Sequence, residues 1–588
     1  MRLYSDSLAG ASTELAGGGG GAAGVGATAG GEGATAESVM QNEGMHLALR
    51  SPRSIAAAAA CATANPVDPA AWQTLGELLL DSGNMPAAAD ALRRAAQLNP
   101  SPVNLANLGS ALAGADRLDE ALAALQRAAE AAPHWSEAHR GVGAVLYTAG
   151  RVDESIAAFS RALAEDPTNA AAHSMLLYMQ LFQGTTPPEQ IRANHAAWAA
   201  AHTGSIQPLP APANDRSPNR RLRVGYVSPN FRNQAVARFV LPIFEHHDPW
   251  EVEIFAYSDA LATDATTQRL RARADEWRNT ASFSDGELAA LVRADRIDIL
   301  VDLTGHIGGG RLKAFAAKPA PVQVAYLGYQ ATTGLTAMDY VLSDEWADPR
   351  GMTESFWAER VWRLPGAFFC YEPAAGAPEV GPLPALARGL VTFGCQNNVA
   401  KVTPRTLEVW AAVMRAVQNS QLMLLTPRSD SVHGRLRAAL GERGIAAERV
   451  IFVGRTGQRE YLDRYNQIDL ALDPIPFNGH TTTADAAWMG VPTVSLAGAV
   501  FPYRYGGAVM RQCGLADLVT SDEPGYVSTA VRLARDVGRL AEIRALLRGR
   551  MQRAGITDGT LFARRLEAAY RGMWGEWCRT GAGLQGRP

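Results

Sequence analysis

Three glycines set the frame of the first third of this chain. Gly76, Gly109 and Gly143 stand 33 and 34 residues apart, each preceded by an apolar residue: Leu75, Leu108 and Val142. Twelve residues after each glycine comes a small side chain (Ala88, Ala121, Ser155), and seven further on an alanine (Ala95, Ala128, Ala162). Five more residues bring a proline: Pro100, Pro133 and Pro167. A period near 34 with five matched positions implies a stacked unit that buries its apolar face against its neighbours. Small residues let two antiparallel helices approach closely, and proline ends each unit because it lacks an N–H and clashes with the preceding turn. The pattern predicts three helical pairs over 68–167, a helix Ala170–Phe182 stacked on the last, and a further helix over Pro187–His202.

This spacing resembles the tetratricopeptide repeat, so residues 66–202 are expected to be helical repeats with a concave groove for protein or peptide chains. Residues 1–50 are a Gly/Ala tract with little to bury and are expected to be disordered. The Gly-x-Gly patterns in that tract follow no strand and carry no nucleotide signal.

With 588 residues the chain is too long for one core. A net charge of -3 argues against a protein held mainly by nucleic-acid phosphates. Cys61, Cys370, Cys395, Cys513 and Cys578 form no Cys-x-x-Cys pair, so neither a disulfide framework nor a zinc site is indicated. A reducing compartment, the cytoplasm, is therefore expected. No run of eighteen apolar residues occurs, so no membrane span is expected, and the N-terminus lacks the apolar core of a signal peptide.

After a Pro-rich linker at 203–220 the pattern changes to alternating strands and helices. Apolar runs at Leu222–Ser228, Val252–Tyr257, Ile297–Asp302, Pro321–Tyr326 and Tyr340–Leu342 read as strands of one parallel sheet. Residues 345–388 read as an irregular passage. Runs at Leu390–Gly394, Gln421–Leu425, Val450–Val453, Ile468–Leu472 and Val491–Leu496 read as a second sheet. The expected fold is α/β, with two Rossmann-like halves at 221–388 and 389–588 behind an all-helical solenoid. Ligand is expected at the carboxyl ends of the strands. The last helix, over 559–577, is expected to pack back on the first half.

Four stretches fall at strand ends: Ser228–Arg238, Asp302–Arg311, Gly394–Pro404 and Phe477–Asp485. In the last, Gly479-His480-Thr481-Thr482 opens a helix. Free N–H groups and the helix dipole make such an opening an anion site, and threonine hydroxyls add donors. Lys401 precedes a helix beginning near Pro404 and can meet an anion in the same crevice. His306 lies between glycine turns that permit close approach to a ligand. Asp485 shares the face of Thr481 one helical turn on.

Taken together, Gly-Tyr-Val-Ser-Pro-Asn-Phe (225–231), Asp-Leu-Thr-Gly-His (302–306), Lys-Pro-Ala-Pro-Val-Gln-Val-Ala-Tyr-Leu-Gly-Tyr (318–329), Met338-Asp-Tyr, Lys401-Val-Thr-Pro and Phe-Asn-Gly-His-Thr-Thr (477–482) resemble the SPINDLY/O-linked N-acetylglucosamine transferase family over 220–575. The resemblance implies a GT-B fold and metal-independent, inverting transfer of a sugar from a nucleotide donor to Ser or Thr hydroxyls. UDP-N-acetylglucosamine is the expected donor and GDP-fucose the alternative. A repeat scaffold with a retained nucleotide pocket is the reading from another class. Carried over by motif, Lys401 binds the donor diphosphate and steadies the leaving group, with Asp302 and His306 as further catalytic candidates. His480, Thr481 and Thr482 hold the diphosphate, and Asp485 the ribose. Asn398, Thr456, Gln458, Tyr461 and Arg464 fall where the family contacts the nucleotide.

The chain departs from the family in several places. Gln234 stands where the family carries a histidine, and glutamine cannot take a proton. The remaining base candidates are Asp295, Asp298, Asp302 and His306, or a water relay. Tyr461 replaces a nucleotide-contacting histidine. Gly328-Tyr-Gln330-Ala331-Thr replaces a Gly-Tyr-Pro-Gly-Thr pattern. Of the positions where the family's repeats carry peptide-clamping asparagines (Thr74, Asn107, Gly141), only Asn107 matches.

Overall fold

The repeat glycines mark the places where helices touch. A Cβ on Gly76 would lie 2.4 Å from Leu92 Cγ, and one on Gly109 2.5 Å from Leu125 Cγ. The small residues at the other repeat positions (Ala88, Ala95, Ala121, Ala128, Ser155, Ala162) are fully buried. Helices Pro69–Asp81, Met85–Leu98, Pro102–Gly114, Leu118–Ala131, Ser136–Thr148 and Val152–Glu165 form the three expected pairs, and helix Pro52–Ala64 precedes them. Asp68, Asn84 and Ser101 cap three of these helices, each with a proline in the first turn.

The computed structural model describes residues 52–580 and divides into two units. The first comprises residues up to Leu146 together with Ala157–Asp166; the second comprises Tyr147–Ile156 and the chain from Pro167 on. The expected disorder of 1–50 lies outside the described residues. The sequence reading carries the repeats to 202, whereas helices Ala170–Gln183 and Pro188–Thr203 fall in the second unit. The reason is aromatic: Phe182 stacks on Phe477 at 4.7 Å, and His195 Nε2 meets the Tyr329 hydroxyl at 2.7 Å.

Within the second unit, β1 (Leu222–Ser228), β2 (Val252–Ser258), β3 (Glu276–Asn279), β4 (Ile299–Asp302), β5 (Val322–Ala325), β6 (Tyr340–Asp344) and β7 (Arg360–Leu364) form one parallel sheet. Its order is β3-β2-β1-β4-β5-β6-β7. The two edge strands escape the sequence reading. Glu-Trp-Arg-Asn (β3) and Arg-Val-Trp-Arg-Leu (β7) are partly exposed and carry charges, the usual protection of a sheet edge, so they lack an apolar run. Residues 345–388 are thus not wholly irregular.

A second parallel sheet contains β8 (Val391–Cys395), β9 (Ser420–Leu425), β10 (Val450–Val453), β11 (Leu470–Leu472), β12 (Thr493–Leu496) and β13 (Val519–Thr520). Its order, β10-β9-β8-β11-β12-β13, repeats that of the first sheet. In both, the strand order reverses beside the first strand, at β1/β4 and at β8/β11. Loops leaving those strand pairs diverge and open a crevice.

Helix Gly559–Thr580 returns to the first half, as expected. Glu567 meets His247 Nδ1 at 3.0 Å, the Tyr570 and Tyr226 hydroxyls lie 3.2 Å apart, and Trp574 Nε1 donates to Ser217 O at 3.2 Å. The Arg220 guanidinium covers the fully buried Trp574 ring at 4.7 Å. Trp574→Ala is expected to destabilise the second unit by about 3–5 kcal/mol through the cavity it leaves. The check is the urea midpoint of that unit's unfolding, and a loss under about 1 kcal/mol would contradict this packing role.

Candidate functional site

The crevice between β8 and β11 is shaped by one buried carboxylate. Asp473, just past β11, accepts from the Gly479 N–H at 2.7 Å and from Ser495 Oγ at 2.6 Å, folding residues 474–479 back on the strand end. Glycine is required where this loop is tightest. A Cβ on Gly479 would lie 2.6 Å from both Thr482 Oγ1 and Thr483 Oγ1, and one on Gly506 would lie 1.8 Å from Asp473 Oδ2.

Lys401 enters from the other wall, at the end of the 3-10 turn Val399–Lys401. Its Nζ donates to Asn478 O at 2.7 Å and to Asn397 Oδ1 at 3.4 Å, and lies 4.5 Å from the Phe477 ring centroid. Thr482 Oγ1 donates to the same Asn397 oxygen at 2.8 Å. Lys401, Asn397 and Thr482 therefore form one network across the crevice. Burial lowers the Lys401 ammonium below the ordinary lysine range, and the Asp473 carboxylate pulls the other way. Burial likewise raises Asp473, against hydrogen bonds from Ser495 and Gly479 and the charge of Lys401. The ammonium therefore sits where a further negative charge would stabilise it.

His480 precedes helix Thr481–Trp488, and no side chain caps that helix. The imidazole is stacked between Phe239 at 4.8 Å and Phe368 at 5.2 Å, with Phe369 edge-on at 4.6 Å. Burial pushes its pKa down to about 3, with Lys401 adding to the effect, so the ring is neutral near pH 7. Its Nε2 is buried and finds no hydrogen-bond partner within the chain; the same holds for Gln396 Oε1 and Thr456 Oγ1. Polar atoms left this way in a crevice are suited to a polar ligand. Among the described residues no group of three or more His, Cys, Asp or Glu is arranged to hold a metal ion.

Asp485 has a different setting from the ribose contact expected of it. Its buried carboxylate accepts from Arg238 Nη2 at 2.6 Å, Arg238 Nη1 at 3.3 Å, the Tyr371 hydroxyl at 2.5 Å and the Tyr461 hydroxyl at 3.1 Å. Arg238 comes from the first Rossmann-like half, so the ion pair clamps the two halves together. Tyr461 is drawn into the same clamp and also meets the Tyr465 hydroxyl at 3.2 Å. Arg464 is buried and donates to Gly454 O, tying the β10 loop to its own helix. Gln458 lines an open groove of about 560 Å³ with Pro378, Gly457, Arg459, Glu460 and Asp463, a set that holds none of the Lys401 network. Asn398 caps the 3-10 turn, its Oδ1 accepting from the Ala400 N–H at 3.0 Å. Thr481 heads the helix.

The base candidates lie elsewhere. His306 Nε2 sits 2.9 Å from Thr333 O and Nδ1 3.1 Å from Ser174 Oγ. A carbonyl only accepts, so Nε2 carries the proton and Nδ1 receives the serine hydroxyl, leaving no lone pair for an acceptor's proton. Burial holds its pKa well below the ordinary histidine value. Asp302 is buried and raised to about 6 by that burial; it accepts the Thr304 and Gly305 N–H groups at 3.0 and 2.9 Å, shaping the loop after β4. Asp298 and Asp295 are held by Arg220 and Arg278 ahead of β4, at the opposite end of the strand from the crevice. Gln234 is buried at the start of helix Ala235–His246.

Sequence reasoning gave no role to Asn397, Asp473, Arg238 or the aromatic walls of His480, although Arg238 and Asn397 lie within two of the four stretches it placed at strand ends.

The chain is similar to several known proteins. A family model described as glycosyl transferase family 41 matches residues 165–375 and 383–566, and one described as tetratricopeptide repeat matches 48–101 and 107–170. A solved structure of an O-GlcNAc transferase mutant from Thermobaculum terrenum superposes with a TM-score of 0.83 at 35% identity, covering 87% of this chain and 98% of that one. The Arabidopsis thaliana protein named "Probable UDP-N-acetylglucosamine–peptide N-acetylglucosaminyltransferase SPINDLY" is 36% identical over 421 residues, 70% of this chain and 46% of its own length. Its Solanum lycopersicum counterpart of the same name is 34% identical over 420 residues, 70% of this chain and 45% of its own length. The chain thus spans about half the length of the curated relatives it matches.

Asp485→Asn is expected to cost about 3–5 kcal/mol, because it leaves the Arg238 charge buried without its counter-charge. Arg238→Met combined with Asp485→Asn is expected to cost less than the sum of the single changes. Additive losses in denaturant melts of the four proteins would show that the two side chains do not act as a pair.

Proposed function

We propose that this chain, which belongs to glycosyl transferase family 41, transfers a sugar from a nucleoside-diphosphate donor to hydroxyl groups of protein chains, with UDP-N-acetylglucosamine as the donor. The observation that carries this reading is the Lys401–Asn397–Thr482 network laid across the start of helix Thr481–Trp488. The names of the curated relatives support the donor and the peptide acceptor.

In this reading the acceptor hydroxyl oxygen bonds to the anomeric carbon on the face opposite the diphosphate, its proton leaves through a water relay, and the bond to the diphosphate oxygen breaks. Negative charge grows on the leaving group as that happens. Lys401, already oriented by Asn478 O and Asn397, meets it with a full charge; the N–H groups at the helix start meet it with aligned dipoles. The neutral His480 supplies a hydrogen bond through Nε2. Charge neutralisation thus falls to protein groups rather than to a metal. Asn398, Thr456, Gln458, Tyr461 and Arg464 frame the nucleotide, and Asp485 acts through the clamp that sets the helix in place. Lys401 is the catalytic residue; Asp302 and His306 hold the loop after β4. The repeats supply the acceptor-protein groove. The cytoplasm is the compartment this reading takes, with five cysteines free of disulfides.

Incubation with UDP- and GDP-sugars and candidate peptides, followed by mass spectrometry, tests the activity. Glycosylated Ser or Thr from UDP-N-acetylglucosamine is expected; nucleotide binding without any transfer would reduce the protein to a scaffold. Lys401→Ala is expected to lower kcat by about 10²–10³-fold, as loss of one transition-state donor does. Unchanged turnover in that variant would refute the role of Lys401. Diphosphate binding also has a predicted pH dependence. The free lysine titrates at about 8, and a bound anion favours its charged form. Binding therefore takes up a proton at higher pH. UDP affinity measured by calorimetry should fall, by up to about tenfold per unit, as the pH rises above about 8.

A further inference from the structure

Tyr147 lies outside the family 41 match and carries none of that family's motifs, yet it touches the turn that bears Lys401. Its hydroxyl accepts from Asn398 Nδ2 at 2.9 Å. The same Asn398 side chain uses its Oδ1 to cap the turn, taking the Ala400 N–H at 3.0 Å. A side-chain amide bonded at both ends is fixed in its plane. The tyrosine hydroxyl thereby determines which way the cap points, and the cap orients the three residues that end at Lys401.

Two further contacts run the same way. The turn after Tyr147 presses on the backbone of that 3-10 turn: Gly150 has φ +70°, and a Cβ there would lie 2.9 Å from Val399 O. Arg435 holds this arrangement by donating to Ala149 O at 2.5 Å. On the other side the Tyr147 ring packs edge-on against Phe182 at 5.7 Å, and Phe182 stacks on Phe477 at 4.7 Å. Phe477 is the ring beneath the Lys401 ammonium. One route from Tyr147 thus reaches the Lys401 backbone and another reaches its charged end. Burial pushes the tyrosine up to about 12, and a second hydrogen bond links it to Tyr178, so the hydroxyl stays neutral and held near pH 7.

We infer that Tyr147 is a positioning residue for Lys401, acting through Asn398 on the backbone and through Phe182 and Phe477 on the ammonium. The inference rests on the catalytic role proposed for Lys401, but its test need not. The chain contains three lysines, Lys313, Lys318 and Lys401. Carbon-13 labelling of lysine therefore yields three side-chain signals, one of which reports on this site whether or not the protein turns over.

Tyr147→Phe keeps the ring and removes only the hydroxyl. It is expected to move the Lys401 signal and its titration midpoint while leaving Lys313 and Lys318 unchanged, and to lower kcat about tenfold with less than a twofold change in KM for the sugar donor. In an Asn398→Ala background the same change should have no further effect, because its hydrogen-bond route is already cut. An unmoved Lys401 signal in Tyr147→Phe, or an equal loss in the Asn398→Ala background, would overturn the inference. Should the unsubstituted chain transfer no sugar, the function reading fails, while the lysine spectra still decide whether Tyr147 positions Lys401.

Discussion

Arg238 and Asp485 hold opposite charges where water has little access, and the arrangement of the crevice depends on that pairing. A buried charge is costly unless its partner is close and its remaining lone pairs are filled. Here the carboxylate is closed by two guanidinium bonds and two tyrosine hydroxyls. Asp485 lies on helix Thr481–Trp488, whose start forms one wall of the anion site, and Arg238 belongs to the helix after β1. The pair therefore connects the position of the anion site to the first half of the fold. Phe239, the neighbour of Arg238, stacks on His480 and extends the same connection to the helix start.

Around this clamp the electrostatics of the site are built by exclusion of water. Lys401 and Asp473 are both displaced from their ordinary ranges toward their neutral forms, and His480 is kept uncharged. Such a site is poised for an incoming anion, which supplies a counter-charge to the buried ammonium. Organising the lysine in advance leaves little rearrangement for the moment when charge moves onto the leaving group. The aromatic residues Tyr147, Tyr178, Phe182 and Phe477 serve this end by supporting the lysine from below. Tyr147, Tyr178 and Phe182 come from helices that precede the Rossmann-like halves, and Phe477 from the loop after β11.

Much of the fold could be read from the residues because burial leaves a periodic trace. Gly76 and Gly109 recur where a leucine of the partner helix leaves no space for a Cβ. Strands β8, β11 and β12 are buried along their whole length and appear as apolar runs. Strands β3 and β7 were illegible for the converse reason: an edge strand needs charge and exposure more than an apolar face. In the site, Lys401, His480 and Thr482 could be found because each follows a strand or opens a helix. Asn397 was passed over for its neighbour, since both follow the same strand and only side-chain direction separates them.

By itself the sequence determined the period of the helical array, the two runs of parallel strands, and the loops that end beside the crevice. Those properties depend on local spacing, on which residues can be buried, and on which backbone turns need glycine. Only the tertiary structure decided what each polar group faces. It set Asp485, expected to meet the ribose, against Arg238, 247 residues away in sequence. It filled both nitrogens of His306 and set Asp302 to holding backbone N–H groups. It brought Tyr147 to Asn398 across 251 residues. A hydrogen bond or ion pair acts over about 3 Å, whatever the separation along the chain. Its partners are therefore chosen by the fold and leave no periodic mark in the sequence.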